Sequence, residues 1–454
     1  MSRHTRRIPA LILVLAAALA ALVPFHAGAE PRQECHKVTA GYTEKKAENK
    51  SVVRLWHVET ANEAVTAEIN GIAEKMAEEM GADLPAAKNN GDGNSRVNVE
   101  IRYSRTGLSW MSFMVQGRKI YHRELQDQQF TTRTYDMKTG FPVTLDLIFD
   151  EESEAWDFIA ERVRETLTGY WPEEEPDPLK LERLCSKEAL SGAEFTLHGM
   201  SLVLHYSAGE LYEGKHTLME VPLYYPEIRD MMNEIAREET DNLSYYKTVA
   251  LTFDDGPKNN SQNVMDALME KGVRATFFCI GNIVEKGYWI VQREHDDGHA
   301  VASHNWTHSD TRKMSAKTLR AMPEKVNKVM IRYIGIPVRY DRAPGGLYPA
   351  MQKAKVEWPL IQWSLDTYDW RGRKPSEVLS SVKKKIADGD IILCHDIKEY
   401  APKSTRAIVD YLEEQGYMFL TVDELFAKDG VKLENGVVYY RCVDGDYSKK
   451  PGGT

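Results

Sequence analysis

The chain is expected to fold as an α/β protein: a distorted, incomplete (β/α)7 barrel preceded by a smaller α+β domain. Three observations predict this. Seven short apolar, β-branched runs recur between residues 246 and 430, helical stretches lie between them, and five of the runs end on charged, His or Gly/Pro residues. Strands alternating with helices build parallel βαβ units. In parallel barrels the reactive side chains gather at the C-terminal ends of the strands. Seven strands, one short of the usual eight, leave such a barrel open on one side, which suits a polymer lying across its top.

The N-terminus is readable first. Arg3, Arg6 and Arg7 precede an apolar run from Ile8 to Val23, and Ala27-Gly28-Ala29 supplies a small-x-small cleavage site. This is the pattern of a secretory signal peptide over residues 1–29. The run is short for a membrane span, so cleavage after Ala29 is expected and leaves no span; retention as an anchor is the alternative. The length gives a prior of two or three domains, and a formal net charge of −10 offers no case for nucleic-acid binding. Among five cysteines, Cys279 and Cys394 fall inside expected strands and read as buried thiols. Cys35 and Cys185 are candidates for a disulfide after export, a pairing that spacing alone leaves open.

Residues 30–245 have a different texture. A helix is expected over Ala61–Met80, then a polar break at Lys88–Ser95, then alternating runs Val97–Tyr103 and Leu108–Val115 joined at Thr106-Gly107. Tyr135–Gly140 leads into Phe141–Phe149, followed by a helix at Glu154–Thr168 and an acidic, Pro-rich linker at Pro172–Pro178. Phe195–Tyr206 reads as a hairpin about Gly199, and Tyr225–Glu238 as a closing helix. Separate strand and helix runs indicate an α+β domain. It holds no metal-ligand or nucleophile constellation, and His198, His205 and His216 read as structural or exposed.

In the barrel, strands are expected at Val249–Phe253, Ala275–Ile280, Ala300–Ser303, Val338–Arg342, Leu360–Leu365, Ile391–His395 and Tyr417–Val422. Helices are expected at Ser261–Lys271, Lys317–Arg332, Pro375–Ala387 and Lys403–Gln415, with Lys383-Lys384-Lys385 a solvated helix face. A tail, residues 431–454, follows. The first strand ends in Asp254-Asp255-Gly256-Pro257. Beyond a strand end, where Gly and Pro break the regular backbone, adjacent acids can converge on one site, and two such carboxylates repel unless a cation or proton lies between them. His304 and His308 are spaced i, i+4, which on a helical turn turns both imidazoles one way. Two imidazoles and one carboxylate make the open three-ligand pattern of catalytic zinc. Asn305 stands where a zinc metalloprotease carries Glu. Arg342-Ala343-Pro344-Gly345-Gly346, Asp366-Thr367-Tyr368-Asp369-Trp370 and Leu393-Cys394-His395-Asp396 complete the set. Each alone is ordinary; five at strand ends in one chain are not.

In order and spacing these five segments resemble the motifs of the NodB-homology polysaccharide deacetylases, carbohydrate esterase family 4, over roughly Tyr246 to Leu425. The resemblance implies that Asp254 is the catalytic base, held by Arg342, and that Asp255, His304 and His308 bind one divalent metal. Zinc suits these ligand types, and manganese or cobalt could substitute. It implies that His395 is the general acid, oriented by Asp369, and that Trp370 and Leu393 wall a pocket for the acetyl methyl group. Gly345 stands where many members carry Tyr; the backbone N–H used there as an oxyanion donor survives, while an aromatic wall is lost. The Tyr135–Phe149 run and Val221-Pro222-Leu223-Tyr224-Tyr225 resemble a domain found beside deacetylase domains and in lysozyme-sensing anti-sigma factors. Together these imply a secreted or extracytoplasmic bacterial enzyme acting on peptidoglycan or another N-acetylated glycan. Chitin oligosaccharides or acetyl-xylan are alternative substrates, and a non-catalytic wall-binding protein is the alternative class. An inactive relative is expected to lack a metal ligand, base or acid, and here all are present. The sequence does not address oligomeric state.

Overall fold

A computed structural model of the chain describes residues 34–47, 49–82, 84, 95–240 and 246–448. The secretory signal expected over 1–29 lies outside the described residues, as do 88–94 of the expected polar break and 241–245 at the domain junction.

The N-terminal domain contains two sheets. The first runs in sequence order: β1 Val38–Lys46, β2 Val52–Thr60, β3 Arg96–Thr106, β4 Trp110–Tyr121 and β5 Glu124–Asp136. All neighbours are antiparallel except β2 and β3. A parallel pair needs a crossover, and the helix Glu63–Gly81 supplies it. Asn62 caps that helix by accepting from the backbone N–H groups of Ala64 and Val65. Its apolar face, Val65, Ile69, Ala73, Met76 and Met80, buries against Trp56, Val97, Val99, Ile101 and Phe113. Sequence periodicity does not reveal β1, β2 or β5. β5 is dominated by Gln, Asp and Thr and is fixed by its ladder to β4 rather than by an apolar face.

The second sheet is the antiparallel set β6 Phe195–Leu197, β7 Ser201–Ser207 and β8 Leu218–Tyr224, and it includes the hairpin expected about Gly199. Helix Ala155–Thr168 shares its core. The closing helix expected over Tyr225–Glu238 is broken: Met232 adopts extended backbone between a short turn and the helix Glu234–Thr240. Cys35 and Cys185 pack in separate cores, so no disulfide joins the two.

In the barrel, β9 Lys247–Gly256 is central. β10 Thr276–Cys279 and then β11 Ala300–Ser303 lie to one side; β14 Asp390–His395 and then β13 Leu365–Asp366 lie to the other, all parallel. The run Val338–Arg342 is reduced to a narrow stave flanked by Pro337 and Pro344. Tyr340 O accepts from Ser303, Arg342 N–H donates to Ser303, and Asp341 bonds Pro359 and Ile361 on its other side. The expected strand Leu360–Leu365 divides into β12 Leu360–Ile361 and β13. Backbone hydrogen bonds therefore run around the whole circumference, and the side expected to stand open is closed through these short staves. β15 Tyr417–Phe419 is not a further full-height stave: Val249 pairs with Asp390 on one side and Phe419 on the other, so β15 sits below β10.

Residues 431–448 pack into this unit rather than trailing from it. β16 Val438–Tyr439 pairs with β12, and Tyr439 and Cys442 are buried. A helix at Gly281–Asp296, bent at Gly287, follows β10 and was hidden by its two glycines.

The two domains meet through buried charges. Arg118 of β4 contacts Glu100 and lies 2.8 Å from Asp297; Arg293 lies 3.1 Å from Glu100 and 2.5 Å from Asp266. Arg54 reaches Asp266 at 3.0 Å. Removing one partner of a buried pair strands the other charge, at a cost of about 3–5 kcal/mol. Arg118→Ala should therefore lower the stability of the whole chain in urea by about that amount. A loss below about 1 kcal/mol would mean that Glu100 and Asp297 reach solvent without it.

Candidate functional site

The convergence of Asp254 and Asp255 has a specific backbone cause. The ladder pairs Phe278 with Asp254 and then Cys279 with Gly256, so Asp255 is an extra residue in a β-bulge. Its φ of 79° turns the side chain out of strand alternation. Gly256 is required beside it, because a Cβ there would fall 2.6 Å from Asp396 Oδ2.

Asp254 is buried and its Oδ1 accepts from Arg342 Nη1 at 2.8 Å. Arg342 is wholly buried, also donates to Thr252 Oγ1 and to the carbonyls of Ile361 and Gln362, and lies 3.8 Å over the Phe278 ring. A buried guanidinium so fully satisfied is a fixed positive charge beside Asp254.

His304 follows β11. Its Nδ1 is 2.8 Å from the carbonyl of Arg342, which as acceptor assigns the proton to Nδ1 and leaves Nε2 facing Asp255. The His304 and His308 Nε2 atoms lie 3.4 and 3.3 Å from Asp255 Oδ1. The helical turn expected to align them is absent; the segment is a bend in which Asn305 has φ 64°. Asp341 holds that bend by accepting from Ser303 Oγ and from the Asn305 N–H at 2.8 Å. Burial pushes the Asp341 carboxyl up to about 6.

His395 stands beside Asp254 in the β14–β9 ladder. Its Nδ1 is 2.8 Å from Asp369 Oδ1, and its backbone N–H donates to Asp369 Oδ2 at 2.7 Å. Burial works against the charged imidazole, but the hydrogen bond and charge of Asp369 outweigh it and raise the pKa. Leu393 is buried two residues earlier, on the same face of β14 as His395. Trp370 is 45 % exposed, with its Nε1–H on Asp366 at 3.3 Å and the Arg371 guanidinium 4.6 Å over its ring. Gly345 lies in a left-handed turn with φ 62°, exposed after the buried Pro344.

The structure thus brings Asp254 and Arg342 together, Asp255 with His304 and His308, and Asp369 with His395. Sequence reasoning missed Asp341 and Asp396. Asp396 is fully buried, accepts from Ser261 Oγ, and is pushed up to about 7 chiefly by burial. The only sequence signal for either was its place next to Arg342 or His395.

The donor trio fits a divalent cation. One ligand atom from each of Asp255, His304 and His308 lies within 4.8 Å of the others, and the buried Asp255 Oδ1 has no hydrogen-bond donor among the described residues. Burial opposes ionisation of Asp255, yet the close His304 imidazole, with the His395 and His308 rings, holds it at about 2. Carboxylates and imidazoles poised around one point are a hard-to-borderline N/O donor set.

Residues 244–357 match a family model described as polysaccharide deacetylase. The chain is 30% identical over 188 residues to a peptidoglycan-N-acetylglucosamine deacetylase of Bacillus cereus, covering 39% of this chain and 88% of that one. The chain belongs to the polysaccharide deacetylase family. It is also 36% identical over 217 residues to the peptidoglycan-N-acetylglucosamine deacetylase PgdA of Listeria monocytogenes, 48% of this chain and 46% of that protein. A bifunctional xylanase/deacetylase of Pseudobutyrivibrio xylanivorans is 36% identical over 194 residues, 42% of this chain and 32% of that one. The chain therefore spans about half the length of its Listeria relative or less. Asp369 and His395 lie beyond the residues matched by the polysaccharide deacetylase model.

If the trio holds the ion, His304→Ala or His308→Ala should remove bound zinc after dialysis, measured by atomic emission, while circular dichroism stays near wild type. Full metal content in either variant would reject the ligand assignment.

Proposed function

We propose that this chain is an extracytoplasmic, metal-dependent deacetylase that hydrolyses N-acetyl groups of peptidoglycan amino sugars. The observation that carries this reading is the donor trio of Asp255, His304 and His308 flanked by the Asp254–Arg342 and His395–Asp369 pairs. The signal pattern of residues 1–29 supports export, and no helix of the described residues is long and apolar enough to cross a membrane. The likeness to the Bacillus and Listeria peptidoglycan-N-acetylglucosamine deacetylases supports peptidoglycan as substrate. The xylanase/deacetylase relative favours acetyl-xylan as a second reading.

When bound, the divalent ion supplies Lewis-acid polarisation of the acetyl carbonyl. The residues do the rest. Asp254, paired with Arg342, takes a proton from the attacking water as the new C–O bond forms. The Gly345 N–H donates to the developing oxyanion. His395, its Nδ1–H fixed on Asp369, gives the Nε2 proton to the nitrogen as the C–N bond breaks, releasing acetate and a free amine. Leu393 and Trp370 wall the methyl group. The products leave a more cationic wall, which weakens its attraction for cationic proteins.

Mass spectrometry of peptidoglycan, chitin oligomers and acetylated xylan treated in parallel tests the substrate. Loss of acetyl groups from xylan alone would replace the peptidoglycan reading. Asp254→Asn should abolish turnover and keep the metal. His395→Ala should slow N-acetyl sugar hydrolysis by about 10²–10⁴-fold, while an activated acetyl ester, whose leaving group needs no proton, loses far less; equal losses would count against a general acid. Asp369 raises the His395 pKa, so its acid form persists to higher pH. In Asp369→Asn the alkaline limb of the kcat profile should therefore move to lower pH, and an unmoved limb would detach His395 from it.

A further inference from the structure

A polar groove of about 370 Å³ runs between the N-terminal domain and the barrel. Arg96 and Asn98 of β3 and Arg118 of β4 form one wall; Asn259, Gln262 and Trp289, from the helices after β9 and β10, form the other. The groove starts near the catalytic face. Asn259 is four residues past Asp255, so their Cα atoms are at most about 14 Å apart.

Its wall holds polar atoms without partners. Among the described residues the Nε–H groups of Arg96 and Arg118 lack an acceptor and Asn98 Oδ1 lacks a donor, although Asn98 is only 6 % and Arg118 3 % exposed. Arg118 is balanced by Glu100 and Asp297. Arg96 is not: it makes no ion pair among the described residues. Burial lowers its pKa, Arg54 and Arg293 add to that, and the opposing pull of Glu44 is smaller. A half-buried cation crowded by like charge and carrying an unused donor lacks an anion. The neighbouring amides and indole are groups that orient a hydroxyl-rich ligand.

We propose that this groove is a second glycan-binding site, in which Arg96 takes a carboxylate of the polymer whose acetyl group lies at the metal trio. The proposal rests on the peptidoglycan reading, since peptidoglycan strands carry carboxylates on their peptide branches whereas chitin oligomers are neutral. It also gives the N-terminal domain a task, because β3 and β4 supply the charged wall.

The full-length, zinc-loaded chain is compared with Arg96→Ala, Arg96→Lys and Arg123→Glu, the last an exposed groove residue whose reversal spares the core. Acetate release is followed on soluble peptidoglycan strands and on chitin oligomers, and co-sedimentation with insoluble peptidoglycan is measured alongside. Arg96→Ala and Arg123→Glu should each raise KM on peptidoglycan about tenfold at unchanged kcat, leave chitin kinetics alone and weaken sedimentation; Arg96→Lys should recover part of the loss. Equal effects on both substrates, or none on peptidoglycan, overturn the groove while leaving the deacetylase reading intact. Arg96-dependent sedimentation without acetate release supports the groove and removes the substrate reading. Neither sedimentation nor release by the wild type overturns both.

Discussion

Asp254 and Asp255 are neighbours at a buried strand end, and their mutual repulsion is the constraint that the surrounding structure answers. Arg342 neutralises one of them from beneath, and its own burial is offset by four hydrogen-bond acceptors and the Phe278 face. Asp255 is lifted by the bulge into the company of two imidazoles instead. Without Arg342 the buried Asp254 would lose its ion-pair partner; without the bulge Asp255 would point to the opposite face of β9. The His304 loop depends on the same arginine, since its Nδ1 is oriented by the Arg342 carbonyl. One residue thus pairs with Asp254 through its side chain and orients the His304 ring through its backbone.

The docking of the N-terminal domain obeys the same electrostatic logic on a larger scale. Arg118 and Arg293 share Glu100, Asp297 and Asp266 across the interface. Such a network costs desolvation and is demanding in geometry, so it favours one relative orientation of the two domains. That orientation brings β3 and β4 beside the helices that emerge from the catalytic rim.

The strand-end chemistry was legible because each motif combines an apolar run with a short polar cluster. The geometry inside the motifs was not. The bulge at Asp255 follows from how β9 registers against β10, and that register belongs to tertiary pairing. The bend carrying His304 and His308 depends on Asp341, 36 residues away; Asp396 acts through Ser261 at a separation of 135. No local spacing encodes these contacts. The same reason hides β5, a polar edge strand stabilised by its neighbour, and the helix at Gly281–Asp296, whose glycines argue against a helix that packing enforces. Gly256, by contrast, was legible as a breaker but for the wrong physical reason: its lack of a side chain makes room for Asp396.

The pairing of β16 with β12, and of the Cys442 N–H with the Gly389 carbonyl, has a consequence for how the barrel is assembled. β12 is only two residues long, and one of its two edges is satisfied by residues far downstream of the motif residues. That edge of the Leu360–Asp366 stave therefore stays unpaired until Val438–Tyr439 has docked against it. A fragment cut at residue 430 would carry every motif residue and still leave that edge of β12 without its partner.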